Sequence, residues 1–297
     1  MPHNISPHLA EKLEKYGVTK EQRYFEWMIN KLPGRINIFA EGDSWFGYPK
    51  KNLIVGEPSN ILAWICQEMR GDINMLRHES NGDEIMEMVY GDQKHNTFEV
   101  LERSGNDIDF ILLSGGGNDI VGEYDMNFIL KPGQYIEGTS AESLINKERF
   151  ERKLESVRNA YIDFMDIRND FAPETEIITH MYDIPAPSSE GVHLFGGIVG
   201  DWYETKSWMS PYLSDRGIPL DKQNEIIRYL LSSFGKTIKK LESLPQAGGK
   251  FHVLETQGTL EAGNEDDWRD EIHPTSVGFR KIATLFINKI KELNGAT

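Results

Sequence analysis

The chain is poor in cysteine and in basic residues, and each shortage excludes a class of protein. Its 297 residues include a single cysteine, Cys66, so no disulfide can form within the chain and no cysteine pair can hold a metal. Asp and Glu outnumber Lys and Arg by 47 to 32, which gives a formal net charge of -15. Nucleic acids and anionic membranes bind surfaces with excess positive charge. We therefore expect neither of them as a partner.

Long apolar runs are also missing. No segment approaches the ~20 apolar residues that a membrane-spanning helix requires. The N-terminus, Met1-Pro2-His3-Asn4, lacks the basic start and apolar stretch of a secretory signal. We expect no membrane span and a cytoplasmic location, although a secreted chain that had lost its leader would have the same pattern. With 39% hydrophobic residues, the chain can still bury a substantial core.

Short apolar runs alternate with helical patterns along most of the chain. The spacing of Phe150, Leu154, Val157 and Tyr161 is typical of an amphipathic helix. Five runs of buried-strand character lie between such patterns, at residues 36–40, 73–76, 110–113, 176–179 and 251–254. Strands that alternate with helices predict an α/β fold with a mostly parallel, five-stranded sheet covered on both faces.

Two kinds of segment depart from this alternation. Residues 1–32 contain polar helical patterns, which predict an N-terminal helical extension beside a main domain of residues 33–297. Irregular stretches at about 122–146 and 185–219 interrupt the main domain. Long irregular segments in compact domains are usually lids or binding loops, so we interpret both as insertions.

The tetrapeptide Gly42-Asp43-Ser44-Trp45 follows directly after the first strand of the main domain. In open α/β sheets, ligands bind beyond the carboxyl ends of the strands, so the Ser44 hydroxyl is expected to face a cleft. By itself the tetrapeptide fits a turn or a helix cap equally well.

A second candidate group follows the strand at 110–113, where three glycines precede Asn118 and Asp119. Glycines allow close approach of the backbone to a ligand, and an Asn side chain is a neutral donor for a developing oxyanion. Gly82, after the strand at 73–76, offers a backbone N–H at the same sheet edge. Each of these positions also fits an ordinary loop or helix cap.

The third group, Asp270 and His273, lies just before the last helix. A spacing of three residues in a helical turn or similar bend puts both side chains on one side. A carboxylate bonded to one imidazole nitrogen leaves the other nitrogen free to take a proton from a serine. Nucleophile, oxyanion donors and base together predict acyl transfer through Ser44.

These four blocks resemble those of the SGNH hydrolase superfamily, also called GDSL esterases and lipases. The resemblance covers roughly residues 35–290 and rests on 42–44, Gly82, 116–119 and 270–273. It implies a three-layer α/β/α, flavodoxin-like fold. It further implies Ser44 as nucleophile, His273 as base, Asp270 as its partner, and an oxyanion hole formed by Ser44, Gly82 and Asn118. Trp45 departs from the family pattern, which has Leu at that position.

The substrate is constrained mainly by aromatic residues. Trp45, Phe46 and Tyr48 follow the nucleophile, and Trp202 lies in the second insertion. Flat apolar walls suit a sugar ring, as in removal of an O-acetyl group, or a short acyl chain. The same residues could instead anchor the insertion to the domain. We expect a small-molecule ester as substrate and neither a metal nor another cofactor.

Two other functions remain open from the sequence. A metal-dependent phosphoesterase also uses Gly-Asp and Gly-Asn turns, but the chain lacks a D-x-H opening and has Asp119 where a histidine is wanted. A binding protein that keeps the fold without turnover would retain the same framework. The sequence contains no G-x-S-x-G, which argues against the common α/β-hydrolase arrangement.

Overall fold

The computed structural model describes residues 5–48, 58–91, 93–122, 124–187, 193–195, 202–204 and 208–295. Eight strands are described, numbered in chain order: β1 (Val18–Thr19), β2 (Ile36–Gly42), β3 (Ile73–Arg77), β4 (Phe110–Ser114), β5 (Glu176–His180), β6 (His193–Phe195), β7 (Trp202–Glu204) and β8 (Phe251–Leu254). The helices are α1 (Pro7–Tyr16), α2 (Gln22–Lys31), α3 (Ser44–Gly47), α4 (Ile61–Glu68), α5 (Ile85–Tyr90), α6 (Gln93–Ser104), α7 (Gly117–Val121), α8 (Asp125–Ile129), α9 (Lys147–Phe171), α10 (Ser210–Ser214), α11 (Leu220–Lys239) and α12 (Ser276–Asn294).

Six strands form one sheet in the order β1-β3-β2-β4-β5-β8, and every neighbouring pair is parallel. In the central register, Ile38 of β2 lies between Met75 and Phe110 of its neighbours. All three side chains are buried. The apolar runs therefore form a central sheet that is covered on both faces, as a parallel sheet requires.

The predicted α/β fold is confirmed, but the predicted count of five strands is one too low. The additional strand, β1, has two residues and pairs with β3 at the sheet edge. A strand of this length has no alternation that a sequence pattern could reveal. The N-terminal segment thus contributes a strand to the sheet in addition to its helices α1 and α2.

Helices cover the two faces of the sheet. The connection from β2 to β3 runs toward one edge of the sheet. The connection from β3 to β4 passes β2 and runs toward the other edge. Because such crossovers are right-handed, α4 lies on the face opposite to α5 and α6. The last helix, α12, packs with α4, while α9 packs with α5, α6 and α11. This arrangement gives three layers.

The reversal of direction occurs between β2 and β4. In open α/β sheets, ligand sites lie beyond the carboxyl ends of the strands at such a point. Here these ends carry Gly42 and Ser114, which pair with each other in the β2–β4 register. The polar blocks after both strands therefore meet at one edge.

Both predicted insertions contain short elements. The stretch at 122–146 holds α8 and an isolated bridge between Leu130 and Ile145. The stretch at 185–219 holds the antiparallel pair β6–β7 and α10. Other parts of the second stretch lie outside the described residues. Among the helices that the structure describes, none combines the length and apolarity needed to cross a membrane.

Candidate active site

Ser44 is the first residue of α3, directly beyond the end of β2. Asp43 caps this short helix, because its Oδ1 accepts a hydrogen bond of 3.0 Å from the Trp45 N–H. Gly42 permits the close turn: a Cβ there would lie 2.8 Å from the Ser114 Cβ and 2.9 Å from the Phe46 ring. The sharp change from strand to helix leaves the Ser44 hydroxyl at the sheet edge.

His273 reaches Ser44 from the other end of the chain. Its Nε2 lies 2.8 Å from the Ser44 Oγ, and its Nδ1 lies 3.0 and 3.1 Å from the two carboxylate oxygens of Asp270. The loop itself holds this geometry, since Asp270 Oδ1 also accepts from the backbone N–H of Ile272 and of His273. Ser44, His273 and Asp270 are all buried and form one chain of hydrogen bonds.

The tautomer of His273 follows from its partners. An ionised carboxylate can only accept, so the nitrogen facing Asp270 carries the hydrogen. The other nitrogen then faces Ser44 as an acceptor. Burial alone would raise the pKa of Asp270, but the neighbouring His273 and the backbone N–H groups lower it to about 2. Asp270 is therefore a carboxylate at neutral pH.

Asn118 lies in the first turn of α7, after β4. Its Nδ2 donates a hydrogen bond of 2.9 Å to the backbone carbonyl of Asp83, which fixes the orientation of the amide. The amide has a second hydrogen for another acceptor. The same bond brings the loop that contains Gly82 next to Asn118. Gly82 has a left-handed φ of +85°, a conformation that favours glycine.

A narrow slot of about 30 Å³ opens beside Ser44. This volume has room for a few water-sized groups, at about 10–15 Å³ for each. Among the described residues, Asn118 borders the slot but Gly82 does not. The residues that line it are Asp43, Ser44, Trp45, Gly117, Asn118, Val121, Tyr182, Asp183, Pro185, Leu231 and Ile272.

The predicted aromatic residues have different positions. Trp45 lines the slot, and its indole N–H donates to the backbone carbonyl of Ile272, so it also supports the loop that carries His273. Phe46 does not reach the slot, because it is fully buried and stacks on His180 in the core. The expectation that Phe46 contacts substrate is therefore wrong, since the first turn of α3 directs it inward.

Tyr48 also differs from the prediction of a substrate wall, whereas the prediction for the Trp202 side chain falls outside the described residues. Tyr48 is fully buried, its ring centroid is 4.3 Å from that of His273, and its hydroxyl donates to Asp270 Oδ2 at 3.3 Å. It therefore packs against His273 and Asp270 in the interior. The backbone of Trp202 belongs to β7, but its side chain lies outside the described part of the chain.

A buried polar network lies beneath Ser44, and the sequence patterns did not reveal it. Asp43 Oδ1 accepts from Ser114 Oγ at 2.8 Å, and Ser114 Oγ lies 2.9 Å from His180 Nε2. Asp43 Oδ2 accepts from the Tyr182 hydroxyl at 2.5 Å. Ser114 and His180 are the last residues of β4 and β5. The rule that places ligands at strand ends could have indicated both.

Glu271, between Asp270 and His273 in sequence, ties the second insertion to this loop. Its buried carboxylate accepts hydrogen bonds of 2.6–2.9 Å from the backbone N–H groups of Trp208, Met209 and Ser210. Since these residues lead into α10, the position of that helix depends on the loop that carries Asp270 and His273.

A separate, wider cleft of about 490 Å³ shares no described lining residue with the slot. Trp268, Arg269 and Asp270 line it together with Ala186 and Pro187 of the second insertion. Arg269 also lies over the ring of Tyr48, with its guanidinium carbon 5.3 Å from the ring centroid. Within the described residues, no group of three or more His, Cys, Asp or Glu side chains is arranged to hold a metal ion.

Comparison with known proteins gives a result at the level of fold. No protein-family model matches the chain, and no curated protein does. Among solved structures, a lipase from a goat rumen metagenome is similar at a TM-score of 0.51, with 15% identity over 85% of this chain and 96% of that one. The predicted three-layer α/β fold is thus confirmed, and at 15% identity this likeness concerns the fold alone.

Two further solved structures are similar at lower scores. A carbohydrate esterase family 3 protein from Talaromyces cellulolyticus has a TM-score of 0.46 and 11% identity over 88% of this chain and 99% of that one. An extracellular lipase from Streptomyces rimosus has a TM-score of 0.48 and 13% identity over 85% and 99%.

Proposed function

We propose that this protein is a serine-dependent hydrolase of carboxylic esters, with Ser44, His273 and Asp270 as its catalytic triad. The observation that carries this proposal is the unbroken chain of hydrogen bonds from Asp270 through His273 to Ser44. It ends at a slot that also holds an amide donor, Asn118. The goat rumen protein with the same fold is named a lipase, which agrees with this function.

The mechanism follows from the hydrogen-bond directions. Ser44 Oγ attacks the ester carbonyl carbon while His273 Nε2 takes its proton, and the carboxylate of Asp270 stabilises the imidazolium that forms. The proton then passes to the alcohol oxygen, the ester C–O bond breaks, and an acyl-serine remains. Water then attacks the acyl carbon while it gives a proton to His273 Nε2. The bond between Ser44 Oγ and the acyl carbon breaks, His273 returns the proton to Oγ, and the acid is released.

The developing oxyanion needs donors near Ser44. We assign this role to the side-chain amide of Asn118 and to the backbone N–H groups of Ser44 and Gly82. The bond from Asn118 to the Asp83 carbonyl supports the assignment, because it holds the amide in place before substrate binds. Ser44 begins α3, so its N–H is one of those that a helix leaves without an intrahelical acceptor.

The dimensions of the slot favour an ester with a small acyl group, such as an O-acetyl or short acyl ester. At about 30 Å³, the slot beside Ser44 has room for a group of only a few atoms. Trp45 would supply an apolar wall for that group.

The test is labelling with a fluorophosphonate probe, which reacts with activated serines, followed by hydrolysis of p-nitrophenyl acetate. We expect labelling and turnover for the wild type and for Ser80→Ala, a matched control because Ser80 is exposed and follows a neighbouring strand. Ser44→Ala is expected to lose both signals. Chelators should leave the rate of this enzyme unchanged, whereas they would abolish the activity of a metal-dependent phosphoesterase. Absence of Ser44 labelling in the folded wild type would contradict the proposal.

A further inference from the structure

The backbone at Tyr182 has an unusual conformation. Its φ is +56°, and among the described residues it is the one non-glycine residue with a positive φ. An aromatic side chain in the left-handed region is strained, and such strain persists only where the surrounding structure holds it. Strained residues of this kind cluster at functional sites.

The conformation turns the tyrosine back over the edge of the sheet. The Tyr182 N–H donates to His180 Nδ1 at 3.2 Å, and its carbonyl accepts from Thr256 Oγ1 at 2.7 Å. The ring packs against the face of α7, where a Cβ on Gly117 would lie 2.8 Å from it. Trp45 meets the ring edge-on with centroids 5.0 Å apart. The ring is thereby locked as one wall of the slot beside Ser44.

The hydroxyl of the locked ring completes the environment of Asp43. This carboxylate accepts from the Tyr182 hydroxyl at 2.5 Å, from Ser114 Oγ at 2.8 Å and from the Trp45 N–H at 3.0 Å. The donor direction at Ser114 is set by His180. Because His180 Nδ1 accepts the Tyr182 N–H, its Nε2 carries the hydrogen and donates to Ser114, which then donates to Asp43.

We propose that Tyr182 is a positioning residue for the reaction at Ser44, because its hydroxyl holds the Asp43 carboxylate that caps α3. The inference rests on the ester-hydrolase function proposed above. Ser44 is the residue next to Asp43, so a rotation of that carboxylate would turn the first residue of α3 and move Oγ away from His273. The same ring forms part of the slot, but the proposal concerns its hydroxyl.

The Tyr182 hydroxyl should also influence how the rate depends on pH. A protonated Asp43 carries a hydrogen that needs an acceptor, but Tyr182, Ser114 and Trp45 all donate to this carboxylate. Protonation would therefore disrupt these hydrogen bonds. Burial raises the pKa of Asp43 to about 6, while its hydrogen bonds from Tyr182, Ser114 and Trp45 oppose this rise. Removing the Tyr182 hydroxyl therefore raises that pKa further, and the acid side of the pH-rate profile moves to higher pH.

Other titratable groups face Asp43 and bear on this profile. His273 interacts with it electrostatically, and Tyr161 is influenced by its charge. His180, one hydroxyl away, remains neutral because burial lowers its pKa to about 3. Since His273 is unchanged in the variants, the informative quantity is the difference between each variant and the wild type.

The experiment compares Tyr182→Phe with Tyr161→Phe in the full chain. Tyr161 is an equally buried tyrosine whose hydroxyl donates to the Gly115 carbonyl at 2.7 Å and does not bond Asp43. Each variant loses a buried hydroxyl that has two hydrogen-bond partners, so both lose stability. For Tyr182→Phe we expect kcat for p-nitrophenyl acetate to fall about tenfold or more, with KM changed less than about twofold. Its acid limb should move up by about half a pH unit.

The outcomes separate the two proposals. If Tyr182→Phe matches Tyr161→Phe in kcat and in pH profile while Ser44 is still labelled, the positioning role is overturned and the ester-hydrolase function stands. If the wild type is not labelled and hydrolyses no ester, the function itself fails. Should Tyr182→Phe not fold, Ser114→Ala removes the other hydroxyl donor to Asp43 and is expected to shift the profile in the same direction. An unshifted profile there overturns the proposal.

Discussion

Replacing Asp270 by asparagine tests the proposed triad most directly. The change keeps the shape of the side chain and replaces one carboxylate oxygen by an NH₂ group. Asp270 Oδ1 accepts two backbone N–H groups, at 3.0 and 2.8 Å, while Oδ2 accepts from Tyr48 at 3.3 Å. The asparagine oxygen will keep the backbone bonds, so the new NH₂ group will occupy the Oδ2 position. That group donates toward His273 Nδ1, which must then accept.

This reversal places the hydrogen of His273 on Nε2, the nitrogen that faces Ser44. A nitrogen that already carries a hydrogen cannot take the serine proton. We expect kcat to fall by about 10⁴-fold, the size measured for this change in a serine triad. At 1.36 kcal/mol for each factor of ten, the loss is about 5–6 kcal/mol of transition-state stabilisation.

The same variant has an effect on stability with a defined pH dependence. The pKa of Asp270 is held at about 2 in the folded chain. Against an unfolded value near 3.9, this difference contributes roughly 2–3 kcal/mol to the free energy of unfolding at pH 7. The contribution is present above the unfolded pKa and is lost as the pH falls toward 2. The difference between wild type and variant should therefore shrink below about pH 4.

The measurements are kcat/KM for p-nitrophenyl acetate and urea unfolding at pH 7 and at pH 3. Asp267→Asn is the matched control, since Asp267 is also buried in this loop but accepts from Glu261 and Lys281 and does not contact His273. The control is expected to lose stability and to keep kcat. An Asp270→Asn enzyme with kcat within about tenfold of wild type would refute the assigned tautomer and the base role.

Three other substitutions test further parts of the site. Asn118→Ala removes a donor for the oxyanion, and kcat should fall by about 10²–10³ with fluorophosphonate labelling slowed; an unchanged kcat would exclude that role. Gly117→Ala puts a Cβ 2.8 Å from the Tyr182 ring, so we expect a loss of about 1–3 kcal/mol in urea unfolding and a lower kcat. Glu271→Ala leaves two buried N–H groups and one half-buried N–H group of the second insertion without their acceptor. It should cost on the order of 2–4 kcal/mol and increase proteolysis in the insertion, whereas wild-type stability would argue against this anchor.

Much of the fold could be predicted because strand and helix patterns are local. The apolar runs at 36–40, 73–76, 110–113, 176–179 and 251–254 correspond to β2, β3, β4, β5 and β8. The two-residue strand β1 could not be predicted in this way. Its pairing with β3 is decided by where α1 and α2 pack, and no run of residues encodes that contact.

The aromatic residues after Ser44 show a second limit to prediction from the sequence. Phe46 and Tyr48 follow Ser44 closely in sequence, which suggested a wall for the substrate. The direction of each side chain depends on the turn of α3 and on the helices that pack over it, including Phe279 and Phe286 of α12. Contacts with a helix more than 200 residues away cannot be inferred from the tetrapeptide.

By itself, the sequence determined which residues stand at the ends of parallel strands, and hence that Ser44 and Asn118 lie at one edge. It also placed Asp270 within reach of His273, because three residues in a tight turn share a side. Only the tertiary structure decided which groups stand behind Ser44. The bond from Tyr182 to Asp43 spans 139 residues and requires a left-handed backbone at a tyrosine. Local preferences oppose that conformation, and only the packing of the folded domain can maintain it.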